Sequence, residues 1–307
     1  MSRSAFRSVA QTEHTLISSQ PRDIYQKWLL RACASACRHP LLRMLLVAAV
    51  LSVMLLNSVQ TASAVVGGTV ATLSAHNWVV GVARADVADG YYAQFCGGAL
   101  LAPNLVITAA HCTFDEANQP YEASDLHVLI NRLRLSSHEG QRIQVTRIVR
   151  HAGFDIHGLN DDIALLELAY DANAPIINWG DLNAIAADRA TVFGWGVTED
   201  GSAVDWLHQA ELPIVSQRAC NIIYKPYGLV ITDNMLCAGN ILGGVDACTG
   251  DSGGPLVVYD SERAEWVLVG IVSWGAGCGA SGAYGVYTNV SAYAGWVVEQ
   301  RGSLNLE

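Results

Sequence analysis

From Val65 onward the chain consists of short apolar runs, many of them rich in β-branched or aromatic residues. Gly, Asn, Asp and Pro interrupt these runs roughly every 10 to 20 residues, a spacing typical of strands joined by turns. No strand–helix–strand alternation appears, which argues against a parallel α/β sheet and favours an all-β protein. The predicted strands are Val79–Ala83, Leu105–Ala109, Val145–Val149, Ile163–Leu168, Thr191–Trp195, Leu256–Tyr259 and Val267–Trp274.

One helix is predicted, at about residues 291–301. Tyr293, Trp296 and Val297 share one face at i, i+3 and i+4 spacing, and Ser291 stands where an N-cap belongs.

A polar stretch at about residues 171–187 suits a linker between two all-β halves. The halves span about residues 65–170 and 188–290.

The segment before Val65 has the organisation of a secretory signal. Residues 45–56 are apolar except for Ser52, arginines precede them, and Ala62-Ser63-Ala64 follows as a small-residue cleavage site. The apolar run is shorter than the ~18–20 residues that span a bilayer. Residues 1–64 are therefore predicted to be an N-terminal extension with a signal peptide, and residues 65–307 to be secreted, extracellular or periplasmic. An uncleaved anchor is the alternative, and whether residues 1–43 are translated stays open.

The charge of the chain changes at the same point. Residues 1–64 carry seven basic and two acidic residues, whereas the body carries eleven basic and twenty-six acidic residues. An acidic body with Lys225 as its single lysine has no electrostatic footprint for a phosphate backbone. Nucleic-acid binding is therefore not expected.

The body contains six of the eight cysteines, an even count that in an exported chain indicates three disulfides. Spacing alone allows 15 pairings. No C-x-x-C pair occurs in the body, so no structural zinc site is expected.

The most specific motif is Gly250-Asp251-Ser252-Gly253-Gly254-Pro255. It satisfies G-x-S-x-G, the nucleophile elbow of α/β-hydrolases, in which the catalytic histidine follows the serine. The last histidine of this chain is His208. That interpretation, and an esterase on that fold, is therefore excluded, and the base for Ser252 must lie upstream.

His111 is the candidate base, and Asp162 is the candidate carboxylate that orients it. His111 follows an apolar run and precedes Cys112, which can anchor a base that must lie about 3 Å from its nucleophile. Asp162 opens another apolar run. Taken singly, these residues are better explained as a core histidine and a surface turn. Their order with Ser252, however, is His…Asp…Ser rather than the Asp…His…Ser of subtilisins.

With further motifs, the chain resembles the trypsin-like branch of the chymotrypsin family of serine proteases over residues 65–301. The resemblance looks closest to bacterial trypsins, which share a three-disulfide layout. The motifs that carry it are Val65-Val66-Gly67-Gly68, Cys96-Gly97-Gly98, Thr108–Cys112, Asp162-Ile163-Ala164-Leu165, Gly194-Trp195-Gly196, Gly250–Pro255, Ser273-Trp274-Gly275 and Gly285-Val286-Tyr287-Thr288.

The resemblance implies an all-β fold of two six-stranded antiparallel Greek-key β-barrels with a C-terminal α-helix and an active site between the barrels. It also selects one disulfide pairing, namely Cys96–Cys112, Cys220–Cys237 and Cys248–Cys278.

The catalytic roles are implied by the resemblance as well, because this family is the established template for the triad. Ser252 attacks the peptide carbonyl, His111 takes its proton and hands it to the leaving amine, and Asp162 fixes the His111 tautomer. The backbone N–H groups of Gly250 and Ser252 form the oxyanion hole.

The resemblance places Asp246 at the base of the primary specificity pocket. A buried carboxylate there selects a cation, so cleavage is expected after Arg or Lys. Ala247 stands where many trypsins have serine, which removes a hydrogen bond to lysine and favours arginine. The other expected substrate-binding residues are Ser273, Trp274, Gly275 and Gly285.

Activation is expected to depart from the family's usual pattern, in which a cut after Lys or Arg frees an α-amino group. That group then pairs with the aspartate before the catalytic serine, here Asp251. The residue before Val65 is Ala64, and no Lys or Arg lies between Met44 and Ala83. Signal cleavage alone is therefore predicted to release Val65 and give an active enzyme.

The expected partners are protein or peptide substrates and a proteinaceous inhibitor, with no stable membrane association after signal cleavage and a monomeric state. No cofactor or metal is expected, because the family's calcium loop needs carboxylates and residues 131–142 offer Glu139 alone. The alternative function is a catalytically inactive trypsin-like binding protein, but such proteins usually carry a substituted triad residue.

Overall fold

The computed structural model describes residues 65–72, 76–185, 187–198 and 201–303. The predicted signal peptide and its cleavage site at Ala64 lie outside the described residues. Within the described ranges the chain forms the strands β1 (Thr69–Val70), β2 (Val79–Arg84), β3 (Gln94–Ala102), β4 (Leu105–Thr108), β5 (Leu126–Ile130), β6 (Gln141–Arg150), β7 (Ala164–Leu168), β8 (Asn178–Trp179), β9 (Arg189–Gly194), β10 (His208–Val215), β11 (Met235–Ala238), β12 (Pro255–Asp260), β13 (Glu265–Trp274) and β14 (Gly285–Asn289). The helices are α1 (Gly90–Ala93), α2 (Leu182–Ile185), α3 (Gln217–Tyr224) and α4 (Ala294–Ser303).

The first barrel is a closed sheet in the order β2-β3-β4-β7-β6-β5. All its pairings are antiparallel, and β4 pairs with β7 from Leu105 opposite Glu167 to Thr108 opposite Ala164. This register places the chain that leaves β4 beside the chain that enters β7. The segments that carry His111 and Asp162 are therefore neighbours.

The second barrel is the ring β9-β10-β11-β14-β13-β12, which closes because β9 pairs with both β10 and β12. The short strands β1 and β8 extend it at β10 and β13. The expected all-β fold, two closed six-stranded antiparallel barrels with a C-terminal helix, is confirmed.

Apolar burial explains why the strands hold their places. In β4 all four residues are buried, and Leu105, Val106 and Ile107 have no exposed surface. Burying a large aliphatic side chain contributes about 1.5–3 kcal/mol, so a β4 with apolar residues on both faces is fixed firmly in the barrel. The loop that follows β4 starts from this rigid base.

The C-terminal helix differs from its prediction at its start. A 3₁₀ turn, Val290–Tyr293, precedes α4, so Ser291 lies inside this turn and donates to the Asn289 side chain at 2.9 Å instead of capping α4. Val297 is fully buried and Tyr293 nearly so, and both pack into the same hydrophobic cluster as the first-barrel core. The face of the C-terminal segment that was predicted to be apolar is therefore the one that packs against this hydrophobic cluster.

Candidate active site

His111 is held by a short 3₁₀ helix, Ala110–Thr113, that begins directly after β4. The Cys96–Cys112 disulfide ties this turn to β3, and the Thr113 hydroxyl donates to the Ala110 carbonyl at 2.7 Å. Two local constraints thus fix the backbone on either side of the imidazole.

Asp162 contacts both the backbone and the side chain of His111. Its Oδ1 accepts the His111 backbone N–H at 2.9 Å, and its Oδ2 lies 2.8 Å from His111 Nδ1. The Asp162 residue is 1% exposed, whereas the His111 side chain is 24% exposed. A buried carboxylate on Nδ1 orients the ring and leaves Nε2 for proton transfer.

Two hydroxyls of the second barrel complete the environment of Asp162. Ser273, in β13, donates to Asp162 Oδ2 at 2.6 Å, and Thr288, in β14, donates to the Asp162 carbonyl at 2.7 Å. Both hydroxyl residues are buried. From the sequence, Ser273 was expected in the substrate pocket and Thr288 had no expected role, so neither contact with Asp162 was predicted.

Hydrogen bonds to the backbone of the first barrel hold the segment that contains Ser252. The Gly97 N–H donates to the Ser252 carbonyl at 2.7 Å, and the Thr108 hydroxyl donates to the Gly97 carbonyl at 2.7 Å. Gly253 has a φ of +77°, and a Cβ at this position would overlap Thr108, so glycine is required. Among the described residues no hydrogen bond joins the Ser252 hydroxyl to His111. In ligand-free sites such a bond often tightens only when substrate is bound.

The Gly250–Ser252 turn carries amides that are free to receive an anion. Within the described residues, neither the Gly250 nor the Ser252 N–H donates to an acceptor. Gly250 has a φ of +96°, a conformation that side-chain-bearing residues rarely adopt. Gln94, the first residue of β3, donates from Nε2 to the Gly250 carbonyl at 2.9 Å. No pattern in the sequence predicts this hydrogen bond.

A cavity of about 270 Å³ opens beside Ser252. Asp246 lies in its wall with 7% of its surface exposed, and burial raises the pKa of this carboxyl to about 6. Its two oxygens accept the backbone N–H groups of Ala247, at 2.9 Å, and Gly279, at 3.1 Å. The lining residues are Asp246, Ala247, Cys248, Thr249, Ser252, Val272, Ser273, Trp274, Gly275, Gly277, Cys278, Gly285, Val286 and Tyr287.

Two features of this cavity bear on its ligand. A Cβ on Gly285 would lie 2.9 Å from Asp246 Oδ1 and 3.0 Å from the Tyr287 ring. Glycine at this position therefore leaves the space beside the Asp246 carboxylate free. The Tyr287 hydroxyl is buried and has no hydrogen-bond partner within the described residues. Tyr287 belongs to one of the sequence motifs that carry the resemblance, but no role was predicted for its hydroxyl. A polar group near a buried carboxylate suits a long cationic ligand better than an apolar one.

The segment that starts at Val65 packs under the cavity. Val65 is fully buried in the core of the second barrel, and the Val66 carbonyl accepts the Asp246 N–H at 3.2 Å. Asp251 is also fully buried, and it accepts the N–H groups of Gly196 at 2.7 Å and Cys248 at 2.8 Å. Burial raises the pKa of Asp251 to about 7.

The structure contains the three disulfides that the resemblance implied, Cys96–Cys112, Cys220–Cys237 and Cys248–Cys278. One group of potential metal ligands, Cys96, His111 and Cys112, includes both sulfurs of the first disulfide. Disulfide sulfurs are not thiolates, so this group is not a metal centre. Within the described residues no helix is long and apolar enough to cross a membrane.

Comparison with known proteins agrees with this geometry. The family model described as Trypsin matches residues 65–297. The chain is 39% identical to a trypsin of Saccharopolyspora erythraea over 77% of this chain and 97% of that protein. It is 35% identical to trypsin eta of Drosophila melanogaster over 80% of this chain and 92% of that protein. It also matches ovochymase of Halocynthia roretzi at 34% identity, but covers only 15% of that longer protein.

Proposed function

Because the chain belongs to the trypsin family of serine endopeptidases, we propose that it cleaves proteins and peptides after arginine, and less readily after lysine, through an acyl-enzyme on Ser252. The observation that carries this proposal is the buried Asp246 carboxylate in the same cavity as Ser252. A carboxylate away from water is a poor site for an apolar side chain and a good one for a guanidinium.

In the proposed mechanism Ser252 Oγ attacks the carbonyl carbon of the scissile bond while its proton passes to His111 Nε2. The Asp162 carboxylate stabilises the imidazolium that forms, and it is held for this by Ser273 at 2.6 Å. His111 then gives the proton to the leaving amine. Water repeats the sequence on the ester bond and releases the acid and the free Ser252 hydroxyl.

The developing oxyanion is assigned to the Gly250 and Ser252 amides. These donors already lack competing acceptors among the described residues, so they need no reorganisation when charge appears. The bond from Gln94 to the Gly250 carbonyl supports the orientation of this turn.

The preference for arginine rests on Ala247. Each Asp246 oxygen already accepts one backbone N–H, and a guanidinium fork pairs with both oxygens at once. A lysine ammonium has three donors, and Ala247 offers it no side-chain acceptor.

We assign Val65 and Asp251 to an ion pair that forms when signal cleavage after Ala64 frees the Val65 α-amino group. Both residues are fully buried, so the pair would be shielded from water.

Because no separate activation cut is needed in this proposal, the activity of the enzyme is controlled by its export or by a proteinaceous inhibitor. The enzyme acts outside the cytoplasm as a monomer. Trypsins from bacteria and from animals match at similar identity, so the likeness is to trypsins in general and is not specific to bacterial enzymes.

The proposal is tested with the secreted protein and its Ser252→Ala variant on chromogenic peptides that differ only in the residue before the scissile bond. We expect cleavage after Arg and Lys by the wild-type protein alone, together with labelling of Ser252 by a fluorophosphonate. Good cleavage after Phe or Ala contradicts the assigned specificity. An unlabelled Ser252 in a folded protein would support the inactive binding protein instead.

A further inference from the structure

A second cavity, of about 250 Å³, lies in the first barrel between the β5–β6 loop and the segment before α1. Two arginines line it, Arg132 at the start of that loop and Arg142 in β6. The other polar side chains in its wall are Asp89, Ser136, Ser137 and His138.

Arg132 is a buried cation that forms no ion pair with a carboxylate of the described residues. It is 8% exposed, and within the described residues no carboxylate oxygen lies within 4.0 Å of its guanidinium. Two residues along the loop, the exposed Arg134 pairs with Asp205 at 2.6 Å. The exposed arginine of the loop therefore has a counter-ion, Asp205 from the segment before β10, whereas the buried arginine has none among the described residues. Buried charges are normally paired, so this arrangement indicates a missing anion.

The hydrogen bonds of Arg132 leave part of its fork open. Nε donates to the Glu139 carbonyl at 3.0 Å, and Nη1 donates to the Leu135 carbonyl at 3.2 Å. Nη2 donates to no acceptor within the described part of the chain. The two carbonyls fix the plane of the guanidinium, and the unused N–H groups remain for a ligand with two or more oxygens.

Arg142 adds a second fixed positive charge. Its Nη atoms donate to the carbonyls of Ala88 at 2.6 Å, and of Arg84 and Val87 at 2.7 Å. Burial and the charge of Arg142 both lower the pKa of Arg132, while Asp89 acts in the opposite direction. An anion in the cavity would relieve the repulsion between the two guanidinium groups.

We propose that this cavity is a binding site for a small oxyanion, such as phosphate or sulfate, held by the open face of the Arg132 guanidinium and the charge of Arg142. Bound there, the anion bridges the β5–β6 loop to the segment before α1. Because it binds the native state alone, it stabilises the first barrel by mass action.

The test uses the full chain with Ser252→Ala, which prevents self-digestion. Thermal unfolding and isothermal titration are followed with low millimolar phosphate or sulfate at constant ionic strength in sodium chloride, below the range of general salting effects. We expect a saturable rise in Tm with either oxyanion. A shift that grows linearly without saturation, or that added chloride reproduces, overturns the proposal. Acetate is titrated in parallel, and saturable binding of acetate would identify a carboxylate as the natural occupant of the same oxyanion site.

Two variants change the affinity in opposite directions. Arg132→Lys keeps the charge but loses the fork, and we expect oxyanion binding at least about tenfold weaker, as for one lost charged hydrogen bond. Asp89→Asn removes the carboxylate in the cavity while keeping a good N-cap for α1, and binding should tighten severalfold. Arg147→Gln is the matched control, because Arg147 is an exposed arginine of β6 that does not line the cavity, and it should leave the affinity unchanged. If Arg132→Lys does not fold, an unchanged affinity in Asp89→Asn overturns the assignment by itself.

Discussion

Replacing Ala247 by serine is expected to reduce the preference for arginine over lysine. Ala247 lines the cavity, and its N–H already donates to Asp246 Oδ1 at 2.9 Å. The new hydroxyl adds an acceptor beside the carboxylate. A lysine ammonium gains from it, whereas a guanidinium that already pairs with both Asp246 oxygens gains little.

The size of the effect follows from one hydrogen bond. A net contribution of ~0.5–1.5 kcal/mol corresponds to about a 2- to 12-fold change in an equilibrium or rate ratio. The kcat/KM ratio for two peptides that differ only by Arg or Lys before the scissile bond should fall by this factor in Ala247→Ser. The change should come from faster cleavage after lysine.

The control is Ala276→Ser, which makes the same chemical change at an exposed neighbour that does not line the cavity. It should leave the ratio unchanged. Equal rates on the two peptides with the wild-type enzyme, or an unchanged ratio in Ala247→Ser, would refute the assigned role of Ala247.

The buried groups of the site can also be tested singly. As the pH falls through about 6, Asp246 takes up a proton and loses its charge, so the affinity for a small amidinium ligand should fall, and Asp246→Asn should abolish both tight binding and this pH dependence. Ser273→Ala removes a charge-assisted bond of ~1.5–3 kcal/mol to Asp162, so kcat should fall by up to about 10- to 150-fold with KM unchanged, and a rise in KM alone would assign Ser273 to substrate binding. If Val65 and Asp251 pair as proposed, Asp251→Asn, or one extra residue before Val65, should lower kcat/KM about a hundredfold or more, because breaking a buried ion pair costs ~3–5 kcal/mol. The proposed pair needs the ammonium form of the Val65 α-amino group, which is lost as the pH rises, so activity should show an alkaline limb that Asp251→Asn removes.

The strands that could be predicted are those with continuous apolar runs. Every predicted strand lies within or overlaps an observed one. In β4, β7 and β13, for example, most residues are buried, and these strands therefore carry apolar runs that stand out in the sequence. By contrast, β10 alternates buried and more exposed positions and contains a proline, so its sequence resembles a loop. Its position is set by pairing with β9 along six residues, which is tertiary information.

Helix α3 was also missed. It is eight residues long and has only two buried residues, Cys220 and Tyr224. The available signal was Ser216, whose side chain accepts the Ala219 N–H at 3.3 Å as an N-cap.

Site residues with a chemical signature in the sequence could be found from it, whereas their supports could not. A glycine-flanked serine, a histidine beside a cysteine and an aspartate before an apolar run stand out as patterns. Ser273 and Thr288 are 111 and 126 residues away from Asp162, and Gln94 is 156 residues from Gly250. Such contacts depend on how the two barrels meet, and no local spacing encodes them.

The most direct test of the assigned activity and specificity is the identification of new C-termini in a denatured protein digested by the secreted enzyme. Mass spectrometry should find arginine at most of these C-termini and lysine at nearly all the others, with no digestion by Ser252→Ala. New C-termini spread over apolar residues, or equal digestion by Ser252→Ala, would contradict the assignment of Ser252 and Asp246.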